Sequence, residues 1–393
     1  MNFSEQFPDL PLRELAAVSH TATDAQLDRI LAQGHARDLN DFAALLSPVA
    51  SRRLEELAAL SQRITQRHFG KTIRLFAPLY LSNECINICK YCGFSRNNDI
   101  PRVTLDVAEV ADEARRLARQ GFRSILLVAG EHPKYVSKGY VSEVIEEILP
   151  FIPSVALELG PLETAPYRMM VEAGAEGLIC YQESYDEHTY RDLHPAGPKK
   201  NFFWRMDTPE RAYAAGFRRL GIGPLFGLQD WRFEALSTAA HARHLLKHCW
   251  KASLSLSLPR MRPAAGGWSP EDAFHMHDRE LVQAICAFRL FLPTAAVVVS
   301  TREHPGLRNG LVRLGTTSMS AGSSTEPGGY KTYDENTWQQ TKPTQEGEQF
   351  HIADERSPRT IAEMIREQGY EPVWKDFDAS LVSSKTTEVE LCG

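Results

Sequence analysis

The chain has 393 residues, 43% hydrophobic and 24% charged, with a formal net charge of −6 from 44 basic and 50 acidic side chains. Such a length allows one barrel-sized domain with extensions or two smaller domains. An acidic balance without Lys/Arg runs argues against general nucleic-acid binding, and the most apolar stretch, 287–299, is broken by Arg289 and Pro293, too soon for the ~20-residue span of a membrane helix.

The opening residues, Met1-Asn2-Phe3-Ser4-Glu5, carry an acid where a signal peptide carries bases, and no apolar segment follows. Residues 24–32, 41–46 and 51–69 show amphipathic spacing, with Leu54, Leu57, Ala58, Leu60 and Ile64 on one stripe, so a helical extension is expected over 1–70, closed by Gly70. Short apolar segments then alternate with helical ones. Strands are expected at 73–80, 124–129, 155–159, 177–181, 219–223, 252–258, 295–300 and 312–318. Helices are expected at 107–120, 142–149, 162–173, 208–215, 233–250 and 270–291, several of them ending at a glycine. Strand–helix alternation implies a parallel sheet, and eight strands suit an α/β (β/α)8 TIM-type barrel over 71–320. A doubly wound sheet is disfavoured, because no GxGxxG opens the first βα unit. Residues 321–393 read as a C-terminal extension, with a helix near 358–368 and a mobile tail over 383–393.

The strongest chemical statement is Cys85-Ile86-Asn87-Ile88-Cys89-Lys90-Tyr91-Cys92, a CxxxCxxC run directly after the first strand. A cubane iron–sulfur cluster usually takes four thiolates, so a compact loop offering three leaves one iron open to a small molecule. Structural zinc needs four ligands, and the next Cys or His after Cys92 is His132. Chance core cysteines would sit in apolar surroundings, whereas this run is flanked by Asn83-Glu84 and Arg96-Asn97-Asn98-Asp99. The other four cysteines, Cys180, Cys249, Cys286 and Cys392, are scattered; no disulfide framework is evident, and a reducing cytoplasm is expected.

The CxxxCx(aromatic)C run after the first strand of a parallel barrel resembles the radical S-adenosylmethionine superfamily. The resemblance implies a [4Fe-4S] cluster on Cys85, Cys89 and Cys92, with S-adenosylmethionine chelating the open iron and, once reduced, yielding a hydrogen-abstracting adenosyl radical. It places Tyr91 beside the adenine. Val128-Ala129-Gly130-Glu131 is similar to the family's GGE segment, in which the carboxylate accepts from the cofactor's ammonium group; Ala129 replaces the first glycine. By the same resemblance Glu158 and Glu183 face the ribose and adenosyl group, and Arg205 reaches the cofactor. Read on its own, Arg205 could equally pair with Asp207 or Glu210 at a helix start.

A narrower resemblance, from about residue 50 to about 370, is to the 2-iminoacetate synthase family of tyrosine lyases in thiazole (thiamine) biosynthesis. It is carried by Gly93-Phe94-Ser95-Arg96-Asn97-Asn98, Cys180-Tyr181-Gln182-Glu183, Gly221-Ile222-Gly223-Pro224-Leu225-Phe226-Gly227-Leu228 and Ser300-Thr301-Arg302-Glu303. It implies cleavage of the Cα–Cβ bond of L-tyrosine to 2-iminoacetate and p-cresol, and delivery of the imine to a thiazole synthase partner. An arginine fork suits an amino-acid carboxylate; the resemblance gives that role to Arg302, with Ser320 as a second donor. The other reading of Arg302 is a salt bridge to Glu303. Lys90, Arg96 and Arg102 around the cysteine loop suggest a basic rim for a flavodoxin or ferredoxin reductant. His132, Tyr185, His194 and Asp230 are left without a role. Competing readings are a tryptophan lyase and a non-catalytic iron–sulfur or zinc scaffold. A hydrogenase-maturation relative that carries a further cysteine triad is disfavoured, since only Cys392 lies beyond Cys286.

Overall fold

The computed structural model describes residues 2–270, 274–341 and 347–375. Eight parallel strands close into a barrel: β1 (Thr72–Ser82), β2 (Ser124–Ala129), β3 (Ser154–Glu158), β4 (Gly177–Ile179), β5 (Arg219–Ile222), β6 (Ser253–Ser257), β7 (Ala296–Val299) and β8 (Ser318–Ser320). Neighbours follow chain order, and β1 pairs with both β8 and β2, which completes the ring. A ninth strand, β9 (Glu371–Val373), lies parallel to the first residues of β1. Closure removes the unpaired edges that a sheet of this size would otherwise expose.

Helices between the strands cover the barrel as the alternation predicts. The helix Val107–Arg119 opens on a capping box in which Asp106 and Glu109 satisfy each other's amides, and it buries Val110, Ala111, Ala114 and Leu117. Of the expected helix at 270–291, Asp278–Phe291 forms; residues 271–273 lie outside the described ones. The N-terminal extension packs on this helix, Phe42 meeting Phe288 with ring centroids 5.0 Å apart and Gln283 donating to the carbonyls of Leu45 and Ser47. Helices at Phe3–Gln6 and Leu12–Ser19 open this extension, ahead of the first segment singled out by its spacing.

The eighth strand requires correction. Residues 312–318 were expected to form it, but Pro305–Leu311 is a helix, the chain turns through Gly315 at φ +145°, and pairing begins only at Ser318. The apolar Leu311, which ends that helix, and Val312, which caps it, are both buried, and a short apolar run does not distinguish a helix end from a strand. The expected tail at 383–393, with Cys392, lies outside the described residues.

Candidate active site

The cysteine loop leaves β1 at a register shift between Tyr80 and Ser82, a bulge at the barrel's C-terminal rim. A dense backbone lattice then holds it. Arg102 donates to the carbonyls of Asn83, Phe94, Ser95 and Asn98, at 2.7–3.0 Å. The Cys89 amide donates to Ser95 Oγ at 3.1 Å, and the Ile88 amide reaches the Ala196 carbonyl at 3.0 Å. Arg102 is therefore a structural clamp for the loop, and Lys90 is engaged by Asp192 at 2.8 Å; of the three expected rim cations, Arg96 stays exposed.

The three thiols gather at one place. Cys85 and Cys92 share one apolar cluster with Tyr80 and Phe94, while Cys89 and Cys92 share another with Tyr91 and Leu225. Burial pushes the Cys92 thiol up to about 11 and the Cys89 thiol higher, with a nearby lysine, Lys199, opposing the shift and the neighbouring sulfurs adding to it. Such thiols stay protonated unless a metal displaces the proton, and a coordinated thiol is deprotonated outright. Among the described residues no three His, Cys, Asp or Glu side chains converge as one metal ion requires. A cubane asks for something different, since each thiolate binds its own iron. The loop offers three thiols, one for each of three irons.

The strand ends facing this loop carry the expected acids. Glu131 follows β2; Asn87 Nδ2 donates to its Oε2 at 2.7 Å and also approaches Cys85 Sγ at 3.7 Å. A Cβ at the preceding Gly130 would collide with the Glu84 carbonyl oxygen, so only glycine lets the two rim loops touch. Glu158 ends β3 and Glu183 lies just past β4, with φ at +72°, rare for a residue with a side chain and typical of functional sites. Their environments split them. Burial, reinforced by the charge of Glu183, pushes the Glu158 carboxyl up to about 7. Burial also works against the Glu183 carboxylate, but Lys199 and Arg205 outweigh it and hold the group at about 2.

Arg205 donates to the Tyr181 carbonyl at 2.6 Å and approaches Glu183 at 3.4 Å. The reading in which it pairs at its own helix start is set aside, because Asp207 accepts from Ser4 and Glu210 from the Phe3 amide. Tyr91 is buried, and its hydroxyl meets His194 Nε2 at 2.8 Å. The other ring nitrogen of His194 faces the Tyr190 carbonyl, which can only accept, so Nδ1 carries the proton and Nε2 accepts from Tyr91. Burial lowers His194 to about 3, which keeps it neutral.

One cavity joins these groups. Tyr91, Cys92, Glu158, Glu183 and Lys199 line it from one side, Arg302 and Ser320 from the other, and Tyr80, Tyr181, Ser257, Gln349 and Phe350 complete its wall. Arg302 lies past β7 with its guanidinium 3.3 Å from the centre of the Phe350 ring. Glu303 does not pair with it; that acid is taken by Arg260. No carboxylate forms an ion pair with Arg302 among the described residues. Ser320 Oγ, at the end of β8, accepts from the Thr301 amide at 3.0 Å and keeps its own proton to donate. Glu131 and Arg205 adjoin the cavity without lining it.

Several contributors escaped the sequence reading. Lys199 sits in Gly197-Pro198-Lys199-Lys200, where a lysine pair resembles an ordinary solvated turn. Gln349 and Phe350 come from a polar stretch far along the chain, and nothing in its pattern marks it as a cover for the barrel mouth. Of the four groups left without a role, Tyr185 bonds His241 and lies outside the cavity, Asp230 caps the helix Trp231–His248, and His132 accepts from the Lys134 amide.

Residues 79–238 match the Radical SAM superfamily model, and residues 257–371 the Biotin and Thiamin Synthesis associated domain. The chain is 41% identical over 381 residues to the 2-iminoacetate synthase of Escherichia coli (strain K12), covering 96% of this chain and 97% of that one. To the 2-iminoacetate synthase of Salmonella typhimurium it is 39% identical over 387 residues, covering 98% and 99%. Among solved structures, HydG from Carboxydothermus hydrogenoformans, a maturase of FeFe-hydrogenase, superposes with a TM-score of 0.84 at 32% identity, over 95% of this chain and 85% of that one. Another HydG crystal structure gives 0.85 at 29%, over 93% and 79%. The cofactors that the cysteine loop fits are accordingly a [4Fe-4S] cluster and S-adenosylmethionine. With its loop geometry, its closed barrel and its full-length likeness all in agreement, the chain belongs to the 2-iminoacetate synthase family of radical S-adenosylmethionine lyases.

Proposed function

We propose that this lyase cleaves the Cα–Cβ bond of L-tyrosine to 2-iminoacetate and p-cresol, and that the imine passes to a thiazole synthase partner in thiamine biosynthesis. The observation that carries the substrate class is Arg302. Among the described residues no carboxylate pairs with this guanidinium in its cavity, an arrangement that is costly unless an anion arrives, and the carboxylate of an amino acid supplies one in a geometry that arginine's fork accepts bidentately. Ser320 beside it donates a further hydrogen bond. The substrate's amino group would then point back toward Glu158 and the cysteine side of the cavity.

When bound, the cluster and S-adenosylmethionine supply a one-electron cleavage that produces a hydrogen-abstracting radical. What the protein adds is placement. Glu131, Glu158, Glu183, Arg205 and Tyr91 would hold the cofactor, and Arg302 with Ser320 would hold the substrate so that one N–H lies within reach while other hydrogens are kept away. Gln349 and Phe350 add wall to the cavity, with Phe350 against the Arg302 guanidinium. The electron comes from a flavodoxin or ferredoxin, and the enzyme works in the cytoplasm; no helix among the described residues is long and apolar enough to cross a membrane.

Anaerobic incubation of the reconstituted chain with S-adenosylmethionine, a reductant and either tyrosine or tryptophan tests the reading. p-Cresol with 5′-deoxyadenosine is expected from tyrosine. An indole product from tryptophan, with no p-cresol from tyrosine, would overturn it.

A further inference from the structure

Lys199 is a cation shut into the site beside the cysteine loop. Its Nζ lies 2.6 Å from Glu183 Oε1, with side-chain exposures of 14% and 11%, and 5.5 Å from the centre of the Tyr91 ring. The backbone holds it there from two sides. Its amide donates to Asn87 Oδ1 at 2.9 Å, inside the cysteine loop, and its carbonyl accepts from the Tyr190 hydroxyl at 2.5 Å. The preceding Ala196 bridges Ile88, and a Cβ on Gly197 would strike the Asn87 side chain, so the turn Pro198–Lys200 rides directly on the loop that carries the thiols.

Two cations meet one carboxylate beside the cysteine loop. Glu183 is approached by two cations, Lys199 and Arg205, and can neutralise only one. Lys199 lines the same cavity as Cys92, and its Nζ faces the ring of Tyr91, the residue just before that cysteine. A cubane core on three thiolates is negative, and one more electron makes it more negative. A fixed cation in a poorly screened interior favours the reduced state over the oxidised one, and local charge is among the levers that set such potentials.

The geometry points to Lys199 as the residue that raises the reduction potential of the cluster held by Cys85, Cys89 and Cys92. It acts as a positioning residue for charge. The step it assists is the uptake of one electron from a low-potential one-electron donor; no proton leaves Lys199 and no protein bond breaks. This role rests on the cluster and is independent of which amino acid is the substrate.

The test is a redox titration of the reconstituted full chain without S-adenosylmethionine, using dithionite and mediators and following the reduced cluster by electron paramagnetic resonance. Lys199→Gln is expected to retain its iron and titrate at lower potential, so that where the parent is half reduced the variant's reduced fraction falls about three-fold or more. Lys199→Arg is expected to restore the parent curve, and Lys200→Gln, a change at an exposed neighbour, to leave it unmoved. Glu183→Gln removes the opposing charge and is expected to shift the curve the other way, which decides the matter if Lys199→Gln loses its iron. Parent-like titration of Lys199→Gln, or no upward shift in Glu183→Gln, would overturn the assignment.

Discussion

Arg308 and Asp354 form an ion pair in which neither side chain has any exposure to solvent, and the same guanidinium donates to the Ser320 carbonyl. The amides of Ala353 and Asp354 in turn donate to the Thr301 carbonyl at 2.9 and 3.1 Å. One buried contact thus ties the ends of β7 and β8 to the segment that brings Gln349 and Phe350 over the cavity. Arg302 and Ser320 owe their placement to this knot.

Breaking it from one side leaves a buried charge. Asp354→Ala is expected to lower stability by about 3–5 kcal/mol, read as a fall in denaturant midpoint. Arg308→Met combined with Asp354→Leu should recover much of that loss, because it removes both charges, while Arg356 can turn to solvent. A double variant no more stable than the single one would mean that shape and not charge is what the pair supplies.

Arg302→Gln is expected to raise KM for tyrosine about 10- to 100-fold, since charge-assisted hydrogen bonds contribute about 1.5–3 kcal/mol. S-adenosylmethionine binding, measured by equilibrium dialysis, should change little. Equal losses in cofactor and substrate affinity would show that the residue supports the cavity in general.

Glu158 has its carboxyl raised to about 7 by burial and by Glu183. It is protonated below that pH and charged above it, and the charged form would be the better acceptor for the cofactor hydroxyl groups it is proposed to meet. Cofactor affinity should therefore rise as pH increases from about 6 to 8, and Glu158→Gln should flatten that rise. An unchanged slope in the variant would assign the titration to another group.

Glu234 accepts from Ser184 Oγ and from the Tyr185 amide, and so pins the turn that begins at the strained Glu183. Burial raises its carboxyl to about 8, above its ordinary value of 4.5. The folded protein then binds a proton that the unfolded chain has released, so this group's contribution to stability is intact below about 4.5 and is lost as pH climbs toward 8. Denaturant midpoints measured across that window should decline less steeply in Glu234→Gln.

Much of the site could be read in advance because the residues involved lie at strand ends. Once alternation identifies a parallel barrel, strand C-termini must share one rim, and Glu131, Glu158, Glu183 and Arg302 fall there whatever the details of packing. The eighth strand was misplaced because the buried face of a short helix and a short strand give the same apolar run. The clamping role of Arg102 went unread because four accepting carbonyls have no signature in a sequence. Lys199, Gln349 and Phe350 went unnoticed because their importance comes from contacts between distant segments.

What the sequence determined by itself was the chemistry: three thiols in one loop, spaced for a cluster with an open iron, on a barrel whose alternation follows from local periodicity. The tertiary structure alone decided the electrostatics. It buried Lys199 against Glu183, separated the two acids so that one is held at about 2 and the other at about 7, and set Arg302 in the cavity against the Phe350 ring. The reason is that periodicity is encoded by neighbours in the chain, whereas the charge balance of a cavity depends on groups brought together only when the chain closes on itself.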